Sequence, residues 1–292
     1  MASQTHFSRF ALLGVGYIGG SATLAGRRAG LLGRVVGYDP AAAATAAAMR
    51  QGVIDEAVAS PEAAVRDASL VLLAAPVRSL EPLLSRIAPA LLPDATVVDV
   101  GSVKQTLVRA AAAILATGQF VGCHPMAGAE FSGVDAADAE IFSGRVCFVC
   151  PPSNVRVEAV AAAHAFWAGI GCHTVVIDPE VHDRLMASQS HLPHVAAFAL
   201  AAALAPEMPF LERTTTVASP TTSLRDTTRI AASGPDVWRD ILLANASHVL
   251  PLLEQLGGRV QEIARAVAAG DGEALERVLA AGQACRQRLV KE

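Results

Sequence analysis

Gly14-Val15-Gly16-Tyr17-Ile18-Gly19 is a G-x-G-x-x-G between an apolar run, FALLG (10–14), and a segment of helical composition, 20–29. Three glycines at this spacing are a weak signal alone. Between a strand and a helix they restrict the chain severely. The first makes a tight turn, the second lets backbone approach a diphosphate, and the third lets the helix pack close on the strand. Free N–H groups at the helix start then face the anion. The next β-rich run, RVVGYD (34–39), ends in Asp39, twenty residues after Gly19. An acid there accepts hydrogen bonds from adenosine ribose hydroxyls. A ribose phosphate would need nearby cations, and no Arg or Lys follows Asp39 until Arg50. The pattern therefore favours NAD over NADP. The cofactor-contacting residues expected are Gly14, Gly16, Tyr17, Ile18, Gly19 and Asp39. A glycine turn without ligand is the competing reading.

The rest of the first half extends this unit. Further β-rich runs stand at 70–76, 96–101, 120–125, 146–150 and 173–178, with Ala/Leu/Arg segments of helical length at 41–50, 79–91 and 103–116. Apolar strands alternating with helices imply βαβ units and a mostly parallel sheet. After Pro179 the strand signal stops, and the chain reads as helices broken at Pro and Gly. The expected fold is α/β: a Rossmann-type, mostly parallel sheet domain over 1–178, followed by an all-helical domain over 179–292. The 292 residues are 52% hydrophobic, enough for a substantial core, with a formal net charge of −4 and no basic stripe. A nucleic-acid partner is not expected. Cys147 and Cys150 read C-F-V-C, but on a strand they point to opposite faces, so they and the other cysteines read as buried thiols of a reducing compartment. The N-terminus lacks a signal-peptide pattern. Counted as uninterrupted apolar runs, nothing reaches the ~18 residues of a membrane helix, and Val195–Leu204 is too short. The expectation is a soluble cytoplasmic protein with no membrane contact.

In VGCHPMAGAEFSG, a strand ends on His124. Ligands of doubly wound sheets sit outside the carboxyl ends of the strands. Ser102 and Lys104, in VVDVGSVK, end the preceding strand at the same edge. A histidine beside a nicotinamide can take a hydroxyl proton while hydride leaves the same carbon. A structural histidine bonded to backbone is the alternative.

LLGVGYIGGS, VVDVGSVK, GCHPMAGAEFSG, SHLPH and RDTTRIAASGPDVW follow one another in this order from about Ala11 to Asn245. Together they resemble the prephenate/arogenate (cyclohexadienyl) dehydrogenase family of tyrosine biosynthesis. The resemblance implies NAD(P)-dependent oxidative decarboxylation of a cyclohexadienyl alcohol to a phenol, without a metal. It makes His124 the catalytic histidine and Ser102 its orienting neighbour. It assigns Arg229 to the substrate, with Trp238 packed near the site and Ser190 and His194 in the pocket near the side-chain carboxylate. Asp226, three residues before Arg229, can steer its guanidinium. An Arg fork suits the dicarboxylate substrate. Arg225 reads as a surface or interface charge and His191 as structural. His6, His164, His173 and His248 read as surface or core. A metal held by His191, His194 and His182 or Asp183 is conceivable but lacks an evident ligand set. Glu130 is either a gating acid or a solvated one. Phe131 stands where the family is often polar. Pro193 implies a kink.

Helices apolar on several sides, such as HVAAFALAAALA and ANASHVLPLLEQL, imply a homodimer through the helical domain, as does the resemblance. Arogenate specificity remains open beside prephenate. A β-hydroxyacid-type dehydrogenase would use a catalytic Lys in the helical domain, and 179–290 contains none. A nucleotide-sensing regulator would not need His124, Ser102 and Arg229 together.

Overall fold

The structure is a computed structural model that describes residues 7–115, 117–128, 133–214 and 221–290. His6, Glu130 and Phe131 lie outside the described residues. The central strand β1 (Phe7–Leu13) is apolar on both faces because both are covered. Phe10 and Leu12 join one core layer, with Val35, Leu70 and Phe166. Ala11 and Leu13 join the opposite layer, with Val36, Val71, Leu80 and Leu84. Period-two alternation sends successive side chains to opposite faces, so helices must cover both.

Around β1 lie β2 (Leu32–Tyr38), β3 (Glu56–Ala57), β4 (Leu70–Leu73), β5 (Thr96–Asp99), β6 (Phe120–Pro125), β7 (Val146–Cys150) and β8 (His173–Val176). They form one eight-stranded sheet of order β3-β2-β1-β4-β5-β6-β7-β8. Pairing is parallel throughout except between β6 and β7. The order reverses between β1 and β4, and this switch point is where a doubly wound sheet takes its ligand. On the first face lie α1 (Tyr17–Arg28) and α6 (Val157–Gly169), where Phe166 stacks on Phe10 at 5.6 Å. On the second lie α3 (Pro61–Val65), α4 (Val77–Ile87) and α5 (Gln105–Ile114), while α2 (Ala42–Arg50) packs beside β3. A large apolar side chain buried in either layer contributes about 1.5–3 kcal/mol.

After β8 the chain is helical: α7 (Pro179–Met186), a π turn (Ala187–His191), α8 (Leu192–Ala203), α9 (Met208–Thr214), α10 (Thr222–Thr228), α11 (Pro235–Ala244), α12 (Ala246–Ala269) and α13 (Gly272–Leu289). A mostly parallel sheet domain is thus followed by a helical one. The π turn sits just before Pro193, at the start of α8. Proline cannot donate an N–H, and the ladder resets there with a wider turn.

One expectation needs correction. Pro179–Leu211 is a single helical stretch of 33 residues in which an 18-residue window reaches mean hydropathy 1.4, long and apolar enough by length and composition to cross a membrane. Counting uninterrupted apolar runs missed it, because scattered polar residues break the run without breaking the helix. Only 6% of its apolar window is buried inside the chain.

Candidate active site

The glycine loop meets the geometric demands of a diphosphate cradle. Gly14 has φ +95°, and a Cβ there would stand 2.5 Å from the Ala74 carbonyl oxygen at the end of β4. A Cβ on Gly19 would stand 2.6 Å from the Gly14 carbonyl oxygen. At Gly16, which caps α1, a Cβ would meet nothing within 4 Å. The open space lies directly before the first turn of α1, which holds no acidic residue. Free helix N–H groups facing open space suit an anion. Tyr17 and Ile18, both half-buried, begin that helix. Asp39 takes part as well: its carboxylate accepts the Val15 N–H at 2.9 Å and the Ala41 N–H at 2.9 Å. The acid at the end of β2 therefore also fastens the glycine loop.

At the same sheet edge, β5 and β6 end side by side. Asp99, fully buried, accepts the Cys123 N–H and the Gly101 N–H, both at 2.8 Å, and pairs with Lys104 Nζ. Lys104 is itself fully buried. Lys104 stands at the expected edge but turns inward, where its ammonium clamps the turn after β5 to the strand that carries His124. A buried charge pair is tolerated only with such hydrogen-bonded company. Ser102, half-buried, lies in that turn.

His124 is half-buried near the end of β6. A hydrogen bond of 2.9 Å joins its Nδ1 to Nε2 of His182 on α7. His182 is wholly buried, with its ring edge-on to His124 and to Phe148 of β7. His182 Nδ1 lies 2.8 Å from Oδ1 of Asp183. Asp183, also buried, accepts the Lys104 and Gln105 N–H groups at 2.8 Å and so caps α5 across the two domains. Burial, reinforced by His182, Lys104 and His191, holds the His124 imidazole well below its usual pKa. The ring is therefore neutral near neutral pH. Sequence reasoning considered His182 and Asp183 only as metal ligands. Among the described residues no group of three His, Cys, Asp or Glu is placed to hold a metal ion. The adjacent His-Asp pair in PEVHDR was the available signal.

The helical domain supplies a second wall. His194 stacks on Trp238 with ring centroids 3.7 Å apart and planes at 22°. Its Nδ1 donates to the Ser190 carbonyl at 2.9 Å, the contact through which Ser190 enters the site. Trp238 packs with Ile241 and with Val103, the residue after Ser102, so this wall touches the sheet edge. Arg229, exposed, opens a tight turn (Arg229–Ala232) and lies close enough to lower the His194 pKa, although burial is the larger cause. No residue forms an ion pair with Arg229 among the described residues. That corrects one expectation, since Asp226 does not hold the Arg229 guanidinium. α10 runs on at Thr228 into the 3₁₀ turn Arg229–Ala232, and the two side chains, both exposed, make no ion pair across that junction. Arg225 and Asp226 are both exposed. His191 is buried, and Asn245 Nδ2 donates to its Nδ1 at 3.0 Å and to the Asp183 carbonyl at 2.8 Å.

The two domains match two family descriptions in succession: "Prephenate dehydrogenase, nucleotide-binding domain" over residues 22–176 and "Prephenate dehydrogenase, dimerization domain" over 178–281. Cyclohexadienyl dehydrogenase of Zymomonas mobilis is 34% identical over 272 residues, covering 93% of this chain and 92% of that protein. The crystal structure of Aquifex aeolicus prephenate dehydrogenase in complex with hydroxyphenyl propionate and NAD+ superposes with TM-score 0.83 at 30% identity, over 98% of this chain and 99% of that one. Synechocystis arogenate dehydrogenase superposes with TM-score 0.77 at 25% identity, over 97% and 100%. Matched in succession by both domain descriptions and by these relatives over nearly its whole length, the chain belongs to the prephenate/cyclohexadienyl dehydrogenase family.

Proposed function

We propose that this enzyme uses NAD to convert prephenate to 4-hydroxyphenylpyruvate and CO2, and that arogenate, yielding tyrosine, is the competing substrate. The observation that carries the reading is His124, an imidazole at the carboxyl edge of a nucleotide-binding sheet whose surroundings keep it uncharged. A neutral imidazole is a proton acceptor. Gly14, Gly16, Gly19 and the start of α1, Tyr17 and Ile18, would hold the diphosphate, and Asp39 the adenosine ribose. When bound, the nicotinamide supplies the hydride acceptor. His124 then receives the ring hydroxyl proton as hydride leaves the carbon bearing that hydroxyl. The resulting dienone loses the carboxylate on the opposite ring carbon as CO2, and aromatisation drives that loss. Ser102 orients His124 and the hydroxyl. Arg229 binds a substrate carboxylate, and Ser190, His194 and Trp238 line the pocket for the side chain.

Residues 179–292 carry substrate binding and dimerisation in this reading. The little-buried apolar face of Pro179–Leu211 supports a second copy of the chain as its cover rather than lipid. A monomer mass in light scattering at micromolar concentration would refute that. The compartment proposed is the cytoplasm. The enzymatic test is a steady-state comparison of prephenate and arogenate, each with NAD and NADP, for the wild type and His124→Asn. Asparagine keeps a polar side chain of similar reach but accepts no proton. The expected loss in kcat is about 10²–10⁴-fold. A variant that kept most of its kcat would return His124 to a structural role.

A further inference from the structure

We infer that His182, seated on Asp183, is a positioning residue that sets the tautomer of His124 and presents the Nε2 lone pair of that ring to the substrate. This rests on the reading of His124 as the base. The assignment follows from donors and acceptors in sequence. Asp183 accepts the Lys104 N–H and the Gln105 N–H on its two oxygens, and Oδ1 also lies against His182 Nδ1, each at 2.8 Å. A carboxylate has no proton to give and only accepts hydrogen bonds. Toward it His182 must therefore donate, and its single proton sits on Nδ1. The other nitrogen, Nε2, is then bare and can only accept. Its partner at 2.9 Å is His124 Nδ1, which must carry the proton of that ring. His124 Nε2 is left as the unprotonated nitrogen. The chain of three groups thus has one polarity, fixed at its far end by a carboxylate.

The packing permits no easy alternative. His182 is wholly buried, and its ring is held edge-on against Phe148 at 5.4 Å and His124 at 5.1 Å. A ring flip would break both hydrogen bonds at once. The device is also assembled between domains: His182 and Asp183 come from α7, whereas His124 and the N–H groups of Lys104 and Gln105 belong to the sheet domain. The base is poised only when the helical domain is docked.

Neutral amides test this, because Asn places a polar atom where His has Nδ1 and Gln places one where it has Nε2. His182→Gln keeps an acceptor for His124 and is expected to retain kcat within about tenfold of wild type. His182→Asn keeps the contact with Asp183 but not the reach to His124. It and His182→Leu are expected to lose on the order of 10²-fold in kcat, as removal of a tautomer-setting partner does. NAD binding should be unchanged in all three. In a His124→Asn background, His182→Leu should cost little more, because the interaction it serves is already gone. Long-range proton–nitrogen spectra of wild-type protein with isotope-labelled histidine need no variant, and should show both rings as Nδ1–H tautomers. His124 found as the Nε2–H tautomer overturns the inference. So does His182→Asn outperforming His182→Gln, or His182→Leu keeping kcat within threefold of wild type while His124→Asn is inactive. An active His124→Asn instead sinks the underlying reading of the base.

Discussion

Gly14 and Gly16 belong to one motif, but the structure assigns them opposite tasks, so alanine at each separates folding from cofactor binding. Gly14 has φ +95°, and an added Cβ would stand 2.5 Å from the Ala74 carbonyl oxygen. The backbone strain alone costs about 1–3 kcal/mol, and the clash with β4 backbone adds to it. A domain of this size loses roughly 2–4 °C in Tm per kcal/mol. Gly14→Ala should therefore melt roughly 5 °C or more below wild type. Gly16 has φ −104° and ψ −166°, an extended conformation open to any residue, and its Cβ would meet nothing within 4 Å. Alanine caps a helix less well than glycine, while the unfolded chain loses freedom in compensation, about 0.4–1 kcal/mol. The two offset, and Tm should stay within about 3 °C of wild type. The methyl nevertheless stands where the diphosphate must approach the α1 N–H groups. Losing one charge-assisted hydrogen bond costs about 1.5–3 kcal/mol, which makes NAD binding roughly 10- to 150-fold weaker. Thermal melts without cofactor, paired with calorimetric titration of NAD, read both quantities. Wild-type NAD affinity in Gly16→Ala would refute this path for the diphosphate.

Arg229→Ala should raise KM for prephenate well over tenfold with a smaller loss in kcat, whereas Arg225→Ala should do little. Arg229→Lys should recover only part of the loss, because an ammonium lacks the bidentate fork. NAD should be preferred over NADP by at least about tenfold in kcat/KM. Asp39→Ser should narrow that gap and also loosen the glycine loop, since Asp39 accepts the Val15 N–H. Burial, with His182 and His194 adding to it, pushes the His191 pKa down to about 4. The unfolded chain therefore binds that proton first: the stability at stake is complete above about pH 6.5 and is lost as pH falls toward about 4. The loss is on the order of 2 kcal/mol by about pH 5. His191→Asn, which still offers an acceptor to Asn245, should flatten this part of the Tm profile between pH 7 and pH 5. An unchanged slope in that variant would show that other groups carry it.

Legibility in the sequence followed the range of the interactions. The glycine turn, the strand–helix alternation and the helical second half were readable because they depend on local φ/ψ, period and spacing. His124 was readable because a strand end in a parallel sheet has one possible edge to face. Asp226 makes no ion pair with Arg229 because a spacing of three residues permits a contact without requiring it, and both side chains are exposed to water that competes for them. Lys104 was put at the right edge but could not be seen turning inward to Asp99, since charge alone says nothing about burial. The apolar stretch Pro179–Leu211 was missed as a unit because helix continuity does not depend on unbroken hydrophobicity. Most of all, His182 and Asp183 stand 58 and 59 residues from His124 in the chain. Nothing local links them, and only docking of α7 on the ends of β6 and α5 brings two imidazoles and a carboxylate into one line. Sequence alone determined the kind of fold, its nucleotide edge and the histidine that stands on it. Tertiary packing decided which nitrogen of that histidine carries its proton, because a tautomer is set by a partner, and partners are brought together only by the folded chain.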